Sequence, residues 1–206
     1  MKFKYPLDTI LGQRSKIKIL RLLSFEQDQL TIREISRRIN LTVPNISRAL
    51  KELEIEGIVI SQQMGKSTPY SLNKKHYLVN SVVLPIFKKE MNVKKELVKL
   101  LKRKLSQPIE SFILFGSLAR KQEKAISDID MLFVIIDKLD KKLIEKEILN
   151  LNADIVYRFG NSISPIVMTI SEFLTKIKKK DSLLSEILKE GEVLDGKIIS
   201  QLLSYA

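Results

Sequence analysis

The chain has 206 residues, a net charge of +12 and no cysteine. This length allows one or two domains with ordinary cores, and a hydrophobic fraction of 44% is that of a globular protein. No apolar run approaches the ~20 residues that a membrane-spanning helix needs, and the first residues lack a signal-peptide pattern, so we expect a cytoplasmic protein without a membrane partner. The lack of cysteine excludes disulfides and thiolate metal sites, and a single histidine, His76, excludes a multi-histidine site.

The positive charge is concentrated in the first half of the chain. Residues 1–75 carry a net charge of +7, residues 76–107 carry +6, and residues 108–206 carry −1. A lysine-rich proteome would raise the charge of the whole chain, so it does not explain the nearly neutral C-terminal part. The asymmetry therefore indicates a polyanionic partner for the N-terminal half.

Helical periodicity begins at about Leu7 and continues to Leu23. Thr31 is a predicted N-cap with Glu34 at the capping-box position, and it starts a second helical pattern over residues 32–39. The isoleucines of this pattern fall on one face and its arginines on the other. The spacing predicts a short helix that packs on the first one.

The next helix and the segment after it complete a recognisable supersecondary pattern. The spacing predicts a helix over 43–56, which Gly57 ends as a C-cap. Strands are predicted at 58–61 and 69–72, joined by a tight turn at 64–67. Two short helices followed by a hairpin form a winged helix, and this stretch resembles the winged-helix transcription regulators of bacteria and archaea.

That resemblance implies double-stranded DNA as a partner, with residues 43–56 as the recognition helix in the major groove. Asn45 is suited to adenine, Arg48 to guanine or phosphate, and Lys66 to phosphate or the minor groove at the tip of the wing. The candidate DNA-binding residues are Arg37, Thr42, Asn45, Ser47, Arg48, Lys51 and Lys66, with Arg38 suited to the DNA backbone. The alternatives are a solvated helical face and a protein-interaction module.

The middle segment, residues 76–107, is predicted to be a basic helical linker. It contains one apolar stripe that Pro85 interrupts, and a second stripe between Val93 and Leu105. Two interpretations remain open. The stripes form a homodimer contact, or the linker helix packs on the C-terminal domain of its own chain.

Residues 112–136 contain the pattern that carries the most chemistry. An apolar run ends at Gly116 and Ser117, and a second apolar run begins around Asp128 and Asp130. Residues two apart in a strand point to the same face, so these two carboxylates are expected side by side. Oxygen ligands of this kind suit Mg²⁺ with substrate phosphates, and the glycine turn offers N–H groups to those phosphates.

This pattern resembles the nucleotidyltransferase superfamily typified by DNA polymerase beta, in particular its minimal members. The matching residues are Gly116, Ser117, Arg120, Ser127, Asp128 and Asp130. The resemblance implies Mg²⁺ and a nucleoside triphosphate as cofactors, with Asp128 and Asp130 as metal-binding catalytic residues. It also implies that Gly116, Ser117 and Arg120 bind the nucleotide, although Arg120 could instead pair with an acid. The alternative is a solvated edge strand after a glycine turn.

The resemblance further implies a third acid on the strand after the next helix. We predict a helix from about 140 to 159 and a strand over 163–170 that contains no acid. If residues 153–159 were the strand instead, Asp154 would take the third position. The remaining elements predicted are a strand at 111–115, a helix at 118–121, a strand at 127–136, a helix from 171 and a helical unit over 182–196.

The sequence therefore predicts an α+β protein with a small mixed sheet flanked by helices in its C-terminal part. The expected domains are a winged helix at 1–75, the linker at 76–107 and a minimal nucleotidyltransferase at 108–206. We expect a DNA-binding regulator that carries a domain for magnesium and nucleoside triphosphate. The alternative is an active nucleotidyltransferase that adenylylates a protein or RNA acceptor, as some antitoxins of this superfamily do.

Overall fold

The computed structural model describes residues 3–120, 122 and 127–204. The chain divides into two compact units, Met1–Met91 and Asn92–Ala206. The segment 76–107, which the sequence indicated as one linker, is thus divided between the two units. Within the described part of the chain, no helix is long and apolar enough to cross a membrane.

The first unit is a helical domain with a two-stranded wing. Its elements are α1 (Pro6–Leu11), α2 (Arg14–Phe25), α3 (Ile32–Ile39), α4 (Val43–Ile55), β1 (Val59–Ser61), β2 (Tyr70–Leu72) and α5 (Leu84–Met91), with a π-helical turn at Val79–Val83. The strands β1 and β2 are antiparallel. Helices α2, α3 and α4 pack on one another, which is the arrangement that the winged-helix pattern predicted.

Local signals in the sequence explain where these helices begin and end. The capping box at the start of α3 is confirmed, because Thr31 accepts a hydrogen bond from the Glu34 backbone and the Glu34 side chain accepts one in return. Gly57 has a φ of +74°, the left-handed conformation that reverses the chain after α4. The reversal lets Ile58 enter the core and start the wing.

The second unit is a mixed sheet between two layers of helices. Its elements are α6 (Val93–Lys104), β3 (Ser111–Leu114), α7 (Gly116–Ala119), β4 (Ile129–Ile135), α8 (Lys141–Phe159), β5 (Ile163–Thr169), α9 (Ile170–Lys178), α10 (Ser182–Glu190), β6 (Glu192–Gly196) and α11 (Ile199–Leu203). The strand order is β5-β4-β3-β6, with β4 and β5 parallel and the other pairs antiparallel. The predicted mixed sheet flanked by helices is confirmed.

Alternate residues of the central strands enter two different cores. Phe112 and Phe133 face the core that contains residues of α6 and α8, and their rings meet edge to face at a centroid distance of 5.6 Å. Ile113 and Leu132 face the opposite core, which contains residues of α9 and α10. Because both faces of β3 and β4 are covered, these strands are almost continuously apolar. Polar side chains are confined to the ends of the strands.

Two sequence expectations differ from the structure, and the structure decides one question that the sequence left open. Residues 192–196 were expected to continue a helical unit, but they form β6, which pairs with the otherwise free edge of β3. The short helix expected at 118–121 begins earlier, at Gly116. The apolar stripe of α6 is buried in the core of its own unit, which is the second of the two interpretations of the linker.

Candidate functional site

The glycine turn and the acid-bearing strand touch each other directly. The Phe115 N–H donates a hydrogen bond to the Asp130 carbonyl oxygen at 3.0 Å, which holds the start of α7 beside β4. Gly116 has a φ of +69°, and a Cβ atom placed on it would lie 2.2 Å from Oδ2 of Asp130. No other residue fits this position without displacing the carboxylate.

The two acids of the pattern lie close enough to influence each other's charge. Asp130 is a half-buried residue of β4, and Asp128 is exposed and precedes the strand by one residue. Burial raises the pKa of the Asp130 carboxyl, and the charges of Asp128 and Glu186 raise it further, whereas Arg120 opposes the increase. The described side chains thus leave excess negative charge at this end of the sheet, which a cation would compensate.

Arg120 follows α7 and is already paired with two acids. Its Nη1 atom donates to a carboxylate oxygen of Glu186 and to Oε2 of Glu190, the latter at 3.1 Å. Both acids lie on α10, one helical turn apart, and their hydrogen bonds raise the pKa of Arg120. The sequence left open whether Arg120 binds phosphate or pairs with an acid, and the structure shows the acid pairing.

The expected third acid is absent from β5. Asp154 lies in α8 and forms an ion pair with Arg158 at 2.7 Å, so the prediction of a helix over this stretch is confirmed. The strand register places Ser164 of β5 beside Asp130. In residues 3–120, 122 and 127–204, no group of three or more acids or histidines is close enough to hold a metal ion.

The sequence of the second unit matches a known family. A family model described as "Polymerase beta, Nucleotidyltransferase" matches residues 95–197, which is half of the chain. The chain belongs to the polymerase beta nucleotidyltransferase family. The match covers the glycine turn, both acids and the three strands that surround them.

A second family model and a curated relative also match parts of the chain. A second family model, "Winged helix-turn-helix DNA-binding", matches residues 13–60. A relative from Methanocaldococcus jannaschii named "Putative protein adenylyltransferase MJ1305" is 37% identical over 79 residues, which are 37% of this chain and 53% of the relative. The chain therefore spans about half the length of this curated relative.

Two solved structures are similar to parts of the chain. A predicted DNA-binding transcriptional regulator from E. coli is 24% identical, with a TM-score of 0.36, and the match covers 42% of this chain and 84% of that protein. A toxin-antitoxin structure with AMP-PNP is 17% identical, with a TM-score of 0.40, and the match covers 55% of this chain and 82% of that protein.

The nucleotidyltransferase turn contributes backbone groups as well as side chains. The first N–H groups of a short helix such as α7 have no acceptor within the helix. Ser117, the second residue of α7, is half-buried beside them. Of the predicted nucleotide-binding residues, Gly116 lies next to Asp130, and Ser117 follows it in α7. The predicted Arg120 lies one turn further on, held by α10.

Sequence reasoning missed four residues at this end of the sheet. Glu186 and Glu190 come from α10, and Asn161 and Ser162 precede β5 and contact residues 127–129. These contacts join positions that are 34 to 70 residues apart in the chain. No local spacing or propensity signals a contact of that kind, so only the folded structure reveals them.

The predicted DNA-binding residues of the first unit lie on three elements: α3 (Arg37), α4 and its N-cap (Thr42, Asn45, Ser47, Arg48 and Lys51), and the turn of the wing (Lys66). Most of the set is exposed, and Ser47 is half-buried; the exposed members are Arg37, Thr42, Asn45, Arg48, Lys51 and Lys66. Among the described residues, Arg48 and Lys51 have no ion-pair partner, so their charges are available to an external anion. Arg38, which was assigned to the DNA backbone, pairs instead with Glu26 at 2.5 Å.

Proposed function

We propose that this protein binds DNA through its winged helix and binds a magnesium–nucleoside triphosphate complex through its nucleotidyltransferase unit. The observation that carries the proposal is the contact between Gly116 and the Asp130 carboxylate, with Asp128 beside it. Two carboxylates and a glycine turn are the donor set that suits Mg²⁺ with phosphates. Burial is the main cause of the raised pKa of Asp130, and the charge of Asp128 adds to it; a bound cation would offset that repulsion.

Each residue of the proposed site has a distinct role. Asp128 and Asp130 supply oxygen ligands, and the missing side chain of Gly116 lets a phosphate group approach the backbone. Bound Mg²⁺ would neutralise charge on the phosphates and polarise them. Arg120 donates to both glutamates through Nη1, so its Nε and Nη2 groups remain available for a phosphate oxygen.

Catalytic transfer is the second candidate function. The observation that favours it is the sequence identity to a relative that is named as a protein adenylyltransferase. An acceptor hydroxyl of a protein or RNA would attack the α-phosphorus of ATP, the bond to the β-phosphate oxygen would break, and pyrophosphate would leave. The absence of an acid from β5 favours binding without efficient transfer.

Equilibrium dialysis of labelled ATP tests the binding proposal. We expect the full chain to retain ATP with Mg²⁺ present, and to lose most of this retention in EDTA. Asp128→Asn and Asp130→Asn should lower retention at least tenfold, because each removes a ligand oxygen's charge. Asp154→Asn is the matched control, since Asp154 contacts only Arg158 in the described structure. Equal retention by all three variants would contradict the proposal.

A transfer assay separates the two candidates. The full chain is incubated with α-labelled ATP, Mg²⁺ and either total protein or total RNA from the source cells. If the native chain labels an acceptor and the Asp130→Asn variant does not, the protein is a nucleotidyltransferase. Retention of ATP without any labelled acceptor would favour a nucleotide-binding regulator.

A further inference from the structure

The turn between α8 and β5 forms hydrogen bonds with three successive residues at the start of the acid-bearing strand β4. The Asn161 side-chain amide donates to the Ser127 carbonyl oxygen at 2.8 Å. The Ser162 hydroxyl donates to Oδ1 of Asp128. The Ile129 N–H donates to the Ser162 carbonyl oxygen at 2.8 Å. Asn161 and Ser162 thus hold the side chain of Asp128, a predicted metal ligand, and the backbone on both sides of it.

This turn is itself anchored to the helix before it. Gly160 ends α8 in the left-handed conformation, with a φ of +86°, and its N–H donates to Val156 at 2.9 Å. One turn earlier in α8, the Asn152 amide bonds both backbone groups of Ile163, at 2.7 and 3.0 Å. The position of Ser162 is therefore determined by a capped helix on one side and a paired strand on the other.

The hydrogen bond from the Ser162 hydroxyl fixes the orientation of the Asp128 carboxylate. Asp128 is exposed and lies outside β4, so strand pairing does not restrict its side chain. The bond to Ser162 engages Oδ1, and Oδ2 accepts no hydrogen bond from the described residues.

The geometry points to Ser162 as a positioning residue for Asp128, with Asn161 holding the backbone of the same ligand in place. The inference rests on the proposed binding of a metal–nucleotide complex. A site with two carboxylates depends more on the orientation of each one than a site with three. Groups that orient a metal ligand commonly affect metal affinity by about 10–100-fold when they are removed.

Manganese affinity is the direct test, because Mn²⁺ reports on the ligands without requiring catalysis. The full chain is titrated into a fixed concentration of the Mn²⁺–ATP complex, and binding is followed by the change in the water-proton relaxation rate. We expect Ser162→Ala to weaken Mn²⁺ binding about tenfold. Ser162→Thr retains the hydroxyl and should restore binding to within twofold of the native protein. Ser200→Ala, an exposed serine of α11, makes the same chemical change away from the turn and should have no effect.

The outcomes separate this inference from the proposed function. If the native protein binds Mn²⁺ with ATP and Ser162→Ala binds equally well, the positioning role is wrong and the proposed function stands. If the native protein binds no Mn²⁺ with ATP, both are wrong. Circular dichroism of each variant distinguishes a lost ligand orientation from a lost fold. A weakened Ser162→Ala variant that Ser162→Thr does not restore would also contradict the role of the hydroxyl.

Discussion

At the scale of single residues, Gly116 is the position that the candidate site tolerates least. It combines a left-handed backbone conformation with a carboxylate, that of Asp130, in the space that a Cβ atom would occupy. The first condition alone costs roughly 1–2 kcal/mol for any other residue. The second condition forces Asp130 to move, so a substitution would disturb the ligand as well as the turn.

Gly116→Ala should therefore weaken ATP binding with Mg²⁺ at least tenfold. The physical reason is that the added Cβ would overlap Oδ2 of Asp130. Gly65→Ala is the control, because Gly65 also has a positive φ, of +58°, but no atom lies within 4 Å of its added Cβ. Isothermal titration calorimetry measures both variants. Equal loss of binding in the two would assign the effect to backbone strain, and native affinity in Gly116→Ala would contradict the contact.

The motif predicted this contact, whereas the other contacts of the site could not be predicted. The spacing between Gly116 and Asp130 matches a known family pattern, so their proximity follows from the sequence. The partners of Arg120 lie in a helix that is more than 60 residues away in the chain. The sequence therefore could not show whether Arg120 binds a phosphate or pairs with an acidic side chain. Whether two distant side chains meet depends on tertiary packing, which no local pattern encodes.

At the scale of elements, the register of β5 determines which side chain lies beside Asp130. The parallel pairing of β4 and β5 places Ser164 at this position. A hydroxyl therefore lies beside Asp130, where a carboxylate would give the site a third acid. The sequence predicted this acid-free strand correctly. The sequence could not supply the register, because periodicity shows which residues of one strand share a face but not which residues of two adjacent strands are paired.

Ser164→Asp should increase the affinity for Mn²⁺ in the presence of ATP by about tenfold, since added carboxylate charge strengthens the binding of hard cations. Ser164→Asn has nearly the same shape without the charge, and it should bind Mn²⁺ as the native protein does. Titration of each variant into the Mn²⁺–ATP complex, followed by the water-proton relaxation rate, compares the two. Equal affinities would show that residue 164 does not face the site.

The proposed recognition helix, α4, gives a second prediction at this scale. Arg48→Ala combined with Lys51→Ala should weaken binding to duplex DNA at least fivefold and reduce its salt dependence, because two phosphate or base contacts are lost. Lys142→Ala combined with Lys146→Ala removes the same charge from exposed positions of α8 and should have little effect. Fluorescence anisotropy across a range of salt concentrations measures both. Parallel behaviour of the two double variants would contradict docking by α4.

The strand β6 shows the limit of element prediction from sequence. Residues 182–196 have apolar residues at helical spacing, which favoured one helical unit. The helix ends at Glu190, and after Gly191 the strand Glu192–Gly196 lies along β3. A stretch this short has little preference of its own, and the free edge of β3 determines its conformation.

At the scale of the whole molecule, both units carry positive charge, and the first carries more. Residues 1–91 carry +8 and residues 92–206 carry +4, and in the second unit the positive charge comes from α6. Each unit has its own hydrophobic core. A basic winged helix and an acid-bearing nucleotidyltransferase site therefore occupy separately folded parts of one chain, which suits a protein that responds to a nucleotide while it binds DNA.

The most direct test of this account is a crystal structure of the full chain with Mn²⁺ and a non-hydrolysable ATP analogue. Anomalous scattering locates the metal independently of the protein atoms. We predict a manganese peak in contact with carboxylate oxygens of both Asp128 and Asp130, with the triphosphate against the Gly116 turn. A bound nucleotide whose metal lies away from these two residues, or an empty turn at saturating ligand, would contradict the central claim.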